Sequence, residues 1–249
     1  MSQKQKMVAM HKDIKYFNIP ISLLPELYRD HKEFASKAID LAIYRYAETL
    51  EGNSFIEKFE SALKFLNVVC HIPVEKVIKN IENNENLLSL PEYPSAGVYT
   101  GLLWNYQQHD KTEFECLCLG AFISIRSIIG KKPFAKTNKK MIFARMFGYK
   151  SPKELPNKRF MNDLQKRYFN RYQIDKILNE LQLQWHLKII SNHNRCLYVS
   201  FDLSLEELAQ KTLSEKNKQK LLKLKEAKKR AIERARTNST LNNSQQHLK

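Results

Sequence analysis

The sequence predicts a mainly α-helical protein with a small β-hairpin. Three observations lead to this fold class: apolar residues recur every three or four positions over most of the chain, two such stretches follow a capping-box pattern, and the period changes to two only after Trp185. These patterns divide the 249 residues into a helical N-terminal domain (1–108), a second domain that ends in the hairpin (109–203), and a basic helix with a tail (204–249). Because 43% of the residues are apolar, a wholly disordered chain is excluded.

The N-terminal domain is predicted to hold four helices behind an extended segment at 14–20. Apolar residues at helical spacing indicate where these helices lie. Pro73 suits the first turn of the fourth helix. The helices are expected at 23–30, 34–50, 54–68 and from Pro73 to about Leu88. The segment 91–101 contains Pro94 and Gly97, so it is predicted to be a loop and the domain boundary.

The second domain is predicted to open with a buried helix. Thr112 and Glu115 form a capping-box pattern in front of apolar residues at helical spacing, and the pattern stops at Gly130. A short piece that can be extended follows at 132–136. Thr137 is then expected to be the N-cap of a helix at 138–147, which ends at Gly148. A turn is expected at 149–157.

From residue 158 to residue 185 the helical pattern changes phase. The first apolar stripe comprises Phe160, Leu164 and Tyr168, and the second comprises Ile174, Ile177, Leu178, Leu181 and Trp185. The two stripes are displaced by roughly a quarter turn at 100° per residue, so a break is expected near Phe169 or Asn170.

The end of the chain carries the hairpin and one more helix. Alternation of apolar and polar residues over 187–201 predicts two strands joined by a polar tip. Ser204 and Glu207 form a second capping box, which begins a Lys-rich helix expected to run to about Arg236. Residues 237–249 are rich in Asn, Ser, Gln and Thr and are predicted to be disordered.

Positive charge is concentrated in the second half of the chain. The whole sequence has 42 Lys and Arg against 26 Asp and Glu, a net charge of +16. Residues 1–130 have a net charge of −2 and residues 131–249 a net charge of +18. Within the basic half, 131–176 contains 14 basic and three acidic residues. This distribution indicates a polyanionic partner for the second half and a different partner for the first.

The sequence indicates a cytoplasmic protein. No stretch approaches the roughly 18 uninterrupted apolar residues of a membrane span, and the N-terminus lacks the apolar core of a signal peptide. The four cysteines do not form the framework of a small secreted fold, which fits a reducing compartment.

Residues 112–203 run through a helix, a short extended piece, a helix, a turn, a helix and a β-hairpin. This order resembles the winged helix-turn-helix superfamily of DNA-binding domains, although the segment 152–169 is longer than the turn of a compact motif. The resemblance implies that 137–148 is the first helix of the motif, that 172–184 is the recognition helix, and that 185–201 forms the strands and the wing.

The helical wheel of the recognition helix gives candidate contacts. With the second apolar stripe buried, Tyr172, Lys176 and Asn179 point outward, Gln173 lies beside them and Arg171 lies on the flank. We therefore expect base contacts from Arg171, Tyr172, Gln173, Lys176 and Asn179. Basic residues suited to phosphate contacts are Lys139, Lys140, Arg145, Lys166 and Arg167. At the wing that the resemblance implies, contacts to the DNA backbone or the minor groove are expected from His193, Asn194 and Arg195.

No motif indicates an enzyme. Tyr168 and Tyr172 have a spacing similar to the paired tyrosines of rolling-circle initiators, but the two His around one apolar residue that hold the metal there are missing. Cys116 and Cys118 lie roughly 200° apart on a helix, no second Cys pair completes a zinc site, and no Gly-rich phosphate loop occurs. We expect no catalysis, no metal and no cofactor.

The expected function is therefore double-stranded DNA binding, as a replication initiator or transcription regulator of a plasmid, phage or mobile element. The N-terminal half would recruit a protein partner or form a homodimer, and the terminal helix would add nonspecific electrostatic contact. The alternative is a helical adaptor, without enzymatic activity, whose basic half binds RNA or an acidic protein partner.

Overall fold

The structure, a computed structural model, describes residues 16–66, 68, 72–83, 93–192 and 196–246, of which Asn192 and 233–246 are described by their backbone only. It is mainly α-helical with two small antiparallel sheets, which confirms the predicted fold class. Residues up to Phe201 form one compact unit, and residues from Asp202 onward form a second.

In its described ranges, the N-terminal part contains the four predicted helices and one more. Its elements are β1 (Tyr16–Pro20), α1 (Leu24–Leu27), α2 (His31–Glu48), α3 (Phe55–Leu66), α4 (Val74–Glu82), β2 (Ser95–Tyr99) and α5 (Thr100–Gln108). The side chain of Asp30 caps α2 by accepting the N–H groups of Lys32 and Glu33. Helix α4 ends before the predicted Leu88, because Asn83 takes the C-cap position.

The segment predicted as a loop, 91–101, contains a strand and the start of a helix, so that prediction is wrong. β2 pairs antiparallel with β1, and buried Val98 lies opposite buried Phe17. Pro94 and Gly97 suggested a turn, but β1 supplies the hydrogen-bonding partner that makes the following residues a strand.

The second part begins with the predicted capping box. Its elements are α6 (Glu113–Ile129), β3 (Ala135–Thr137), α7 (Lys139–Met146), α8 (Asp163–Tyr168), α9 (Arg171–Gln184), β4 (Lys188–Asn192) and β5 (Cys196–Ser200). The Glu115 N–H donates to Thr112 Oγ1 at 3.2 Å, and the Thr112 N–H donates to the Glu115 carboxylate at 2.8 Å. Gly130 ends α6 with a φ of 59°, a conformation that favours glycine.

Asn138, and not the predicted Thr137, caps α7. The Asn138 Oδ1 accepts the N–H of Met141 at 2.9 Å. Thr137 is paired with Leu197 in the sheet, so the capping position falls one residue later than the sequence indicated.

The predicted break between the two apolar stripes is confirmed, since Asn170 caps α9 and α8 ends at Tyr168. Phe160, however, does not continue the first stripe. It lies in a 3₁₀ turn ahead of Asn162, the N-cap of α8, and its side chain is 66% exposed.

The predicted hairpin is confirmed and belongs to a three-stranded antiparallel sheet in the order β3-β5-β4. Ile189 lies opposite Val199, and Lys136 lies opposite Tyr198. The predicted wing contacts, His193, Asn194 and Arg195, lie outside the described residues.

Helix α6 contributes to two hydrophobic clusters within the first unit. Leu119 and Ile123 pack into the cluster of the N-terminal elements, whereas Leu117 and Ile125 pack into that of α7, α9 and the three-stranded sheet. The predicted division between residues 108 and 109 falls in the connection between α5 and α6, and α6 has apolar residues in both clusters.

The second unit contains α10 (Leu205–Gln246), which begins at the predicted capping box of Ser204 and Glu207. The helix continues beyond Arg236, so the prediction of disorder over 237–249 is wrong as far as Gln246. No glycine or proline follows Ser204 to end it. None of the helices in the described ranges is long and apolar enough to cross a membrane.

Candidate nucleic-acid interface

Helix α9 has one buried face and one exposed face, as the wheel predicted. The buried residues, which belong to the second cluster, are Ile174, Ile177, Leu178 and Leu181. On the other side, Arg171, Tyr172, Lys176 and Asn179 are exposed, and Gln173 is half-buried. The Tyr172 side chain is 76% exposed, an unusual position for an aromatic residue that has only a packing role.

The first turn of α9 lies against the first turn of α7. The carboxylate of Asp175 forms an ion pair with Lys139 Nζ and lies 3.7 Å from Arg171 Nε. Lys139, predicted as a phosphate contact, is thus held by a carboxylate of α9. The adjacent Lys140 is exposed.

The outward polar residues of α9 have only weak local contacts. Lys176 Nζ lies 4.9 Å from the centre of the Phe114 ring, and the Asn179 side-chain oxygen accepts a long 3.4 Å hydrogen bond from Gln182. The Asn170 Oδ1 accepts the backbone N–H of Gln173, which fixes the start of the helix. These side chains can exchange their present contacts for base edges at little cost.

Arg145 is turned toward the protein. Its Nη1 donates to Ser127 Oγ at 2.8 Å, and its Nε is buried without a hydrogen-bond partner among the described residues. Burial lowers the pKa of the Arg145 guanidinium. Arg145 is one of the five residues predicted to contact the DNA backbone, and its guanidinium points toward α6.

Helix α8 contacts the first turn of α6 through an ion pair and a hydrogen bond. Arg167 Nη1 lies 2.9 Å from Glu113 Oε1, and the Tyr168 hydroxyl donates to the same oxygen at 3.1 Å. Burial and this hydrogen bond raise the pKa of Tyr168. Tyr168 therefore stays protonated and acts as a packing residue, while Lys166 remains exposed, 3.9 Å from Asp163.

Most of the positive charge of 131–176 faces solvent. Eleven of its 14 basic residues are exposed: Lys131, Lys132, Lys136, Lys140, Lys153, Lys158, Arg159, Lys166, Arg167, Arg171 and Lys176. Sequence reasoning did not single out Lys136 on β3, nor Arg159, whose guanidinium lies 4.6 Å from the centre of the exposed Phe160 ring. Their charge was visible in the sequence, but only the sheet pairing and the 3₁₀ turn show their positions.

The cysteines of α6 are core residues, as predicted. Cys116 and Cys118 are both buried, and burial raises the pKa of Cys116 to about 11 and that of Cys118 to about 12. Neither thiol is ionised near neutral pH. In the ranges that the structure describes, no three His, Cys, Asp or Glu side chains come together as metal ligands.

Comparisons with protein-family models, with curated proteins and with solved structures found no match to this chain. The candidate interface comprises the exposed face of α9, the adjacent first turn of α7 and the basic residues around them.

Proposed function

We propose that this protein binds double-stranded DNA by placing α9 in the major groove. The observation that carries the proposal is the division of α9 into a buried apolar face and an exposed face with Arg171, Tyr172, Lys176 and Asn179. Arginine, lysine and asparagine are the side chains that pair best with guanine and adenine edges, and the major groove is wide enough for one helix.

The framework around α9 supports the resemblance to winged helix-turn-helix domains. The order α6, β3, α7, α9, β4, β5 and the sheet order β3-β5-β4 place α9 on a scaffold of two helices and a sheet. The departure is α8 with its preceding turn, inserted between α7 and α9. In this interpretation the connection from β4 to β5 is the wing.

The basic residues around α9 supply contacts to phosphates. Lys140 and Lys166 are exposed, and Arg171 is at the first turn of α9, where backbone N–H groups also favour anions. Such contacts set the position of the helix on the duplex and raise affinity for every sequence alike.

The activity that we propose is binding without a chemical step. In the cytoplasm of its host the protein would start replication or regulate transcription for a plasmid, phage or other mobile element. The nearly neutral N-terminal half would bind a protein partner or a second copy of the chain, since its charge does not suit DNA.

The test is an in vitro selection with the full-length protein on random duplex DNA, followed by titration of variants with the enriched sequence and with a scrambled duplex. Gln173→Ala and Lys176→Ala are expected to lose about 1–3 kcal/mol of binding free energy on the enriched sequence and much less on the scrambled one. Lys140→Ala, the matched control, is expected to weaken both duplexes equally.

Equal losses on both duplexes for all three variants would overturn the assignment of α9 as the recognition helix. Tighter binding of RNA than of duplex DNA would support the alternative, an adaptor whose basic half binds RNA.

A further inference from the structure

The carboxylate of Asp175 is shared by two cations at the start of α9. Its Oδ1 forms an ion pair with Lys139 Nζ of α7, and its Oδ2 lies 3.7 Å from Arg171 Nε, one turn earlier on the same helix. Each oxygen therefore faces a different cation. Because Lys139 belongs to α7, the orientation of the carboxylate toward Arg171 depends on the packing of the two helices.

Asp175 lies between the flank of α9 and its exposed face. At roughly 100° per residue, Asp175 is displaced by about 40° from Arg171, and Asn179 by about 40° further in the same direction. The ion pair therefore draws the Arg171 guanidinium from the flank toward the face that carries Asn179 and Tyr172. The Arg171 side chain is 87% exposed, so the edge formed by Nη1 and Nη2, opposite Nε, is open to a ligand.

Lys139 is poorly placed to bind a phosphate itself. Its side chain is 27% exposed and its charge is paired, whereas the neighbouring Lys140 is exposed. To reach a DNA strand, Lys139 would have to leave Asp175 and expose an unpaired carboxylate to the phosphates, which repel it. Lys139 is therefore placed to act on Asp175 and not on DNA.

We infer that Lys139 and Asp175 are positioning residues, which hold Arg171 so that its two Nη groups pair with O6 and N7 of a guanine in the major groove. Arginine forms this bidentate pair with a rigid, planar set of donors, so the direction of the guanidinium decides whether it reaches a base or a phosphate. The inference rests on the proposed function and deepens it, since it assigns one base to α9 and removes Lys139 from the phosphate contacts.

A carboxylate in the major groove can also accept a hydrogen bond from cytosine N4. Both oxygens of Asp175 already face cations, and its side chain is 40% exposed against 87% for Arg171. Asp175 therefore acts through Arg171 and makes no base contact of its own.

The experiment uses the full-length protein, the duplex enriched by selection and its single-base variants, with affinities measured over a range of salt concentrations. Arg171→Ala is expected to lower the preference for guanine at one position by about 5- to 150-fold, which identifies that position. The double variant Lys139→Met, Asp175→Asn removes one charge of each sign. It is expected to lower the same preference by about fivefold or more and to leave the slope of log affinity against log salt unchanged.

The matched control is the double variant Asp163→Asn, Lys166→Met, which removes the ion pair of α8 and also keeps the net charge. Because Lys166 is proposed to contact a phosphate, this variant is expected to lower the salt slope by about 0.9 and to keep the preference for guanine. In the Arg171→Ala background, Lys139→Met, Asp175→Asn is expected to have no further effect on base preference, since all three residues act through one guanidinium.

A guanine preference that survives in Lys139→Met, Asp175→Asn would overturn the inference, as would a lower salt slope, which would return Lys139 to the phosphate contacts. A lost preference for cytosine would show that Asp175 contacts a base directly, with the same consequence. An Arg171→Ala variant that lowers the slope and keeps every base preference would show that Arg171 binds a phosphate. Further loss of preference in the Arg171→Ala background would show a general distortion of α9 and would also contradict positioning.

The outcomes separate this inference from the proposed function. If Gln173→Ala and Lys176→Ala lose preference for the enriched sequence while Lys139→Met, Asp175→Asn keeps the preference for guanine, the inference is wrong and the proposed function stands. If selection enriches no sequence, the assignment of α9 as the recognition helix is overturned, and the inference is overturned with it.

Discussion

The carboxyl group of Asp40 in α2 is held in an environment that opposes its ionisation. Burial raises the pKa of Asp40 to about 6. The folded protein therefore binds this proton more tightly than the unfolded chain does, and the free energy of unfolding falls as pH rises from about 4 to about 6.

Asp40→Asn removes this titration and keeps the shape of the side chain. The variant is expected to be more stable than the wild type at pH 7 by about 2 kcal/mol and equal to it near pH 4. Urea unfolding at several pH values measures the difference. Asp110→Asn is the control, because a hydrogen bond from Lys32 lowers the pKa of that exposed carboxyl and the slope has the opposite sign. A wild-type protein that is more stable than Asp40→Asn at pH 7 would contradict this prediction.

Single residues also mark the limits of sequence reasoning. Thr137 and Asn138 are both good N-caps, and only the pairing of Thr137 with Leu197 decides between them. Arg145 looked like the other cations of its segment, but the hydrogen bond to Ser127 of α6 turns it inward. Contacts between residues distant in sequence decide both cases.

At the scale of elements, Tyr28 of the N-terminal part packs against both α6 and the end of α7. The Tyr28 hydroxyl donates to the carbonyl of Met146 at 2.8 Å, and its ring lies 5.1 Å from that of Phe147. The same hydroxyl occupies the space beside Gly120 of α6, so that a Cβ at this position would overlap it. Gly120 is thus required by a close approach within the fold.

Gly120→Ala is expected to destabilise the protein by about 2–3 kcal/mol, and Tyr28→Phe by about 1 kcal/mol through the lost hydrogen bond. Removing the hydroxyl also removes the nearest atom that the new Cβ would meet. Gly120→Ala should therefore cost less in the Tyr28→Phe background, which a double-mutant cycle from urea unfolding would show. Strictly additive losses would contradict this contact, and Tyr172→Phe at an exposed site is the control.

The elements that the sequence predicted well are those defined by local signals. The capping box of Thr112, the break at Asn170 and the period-two hairpin are each readable within a few residues. β2 was missed because its partner lies far away at Tyr16–Pro20, and the end of α10 was missed because a polar composition does not by itself end a helix. The exposed face of α9 followed directly from its apolar stripe.

At the scale of the whole molecule, the two hydrophobic clusters are joined through α6. Residues up to Phe201 form one compact unit in spite of the boundary that the sequence suggested. We expect this unit to unfold in a single transition, because neither cluster keeps its full set of apolar contacts without α6.

The two tryptophans report on this prediction. Trp104 lies on α5, and Trp185 follows α9 with its ring 4.9 Å from that of Phe122. In each single-tryptophan variant, Trp104→Phe and Trp185→Phe, fluorescence and far-UV circular dichroism are expected to give the same urea midpoint. Different midpoints by the two probes within one variant would show that parts of this unit unfold independently.

The position of α6 in both clusters also limits how this protein can be recombined. A hybrid joined between Gln108 and Glu113 would give all of α6 to one parent. The apolar residues that α6 contributes to the other half, such as Leu119 and Ile123, would then lose their partners. The N-terminal half can therefore be transferred to a different C-terminal domain only if α6 is duplicated or carried along with both of its faces covered.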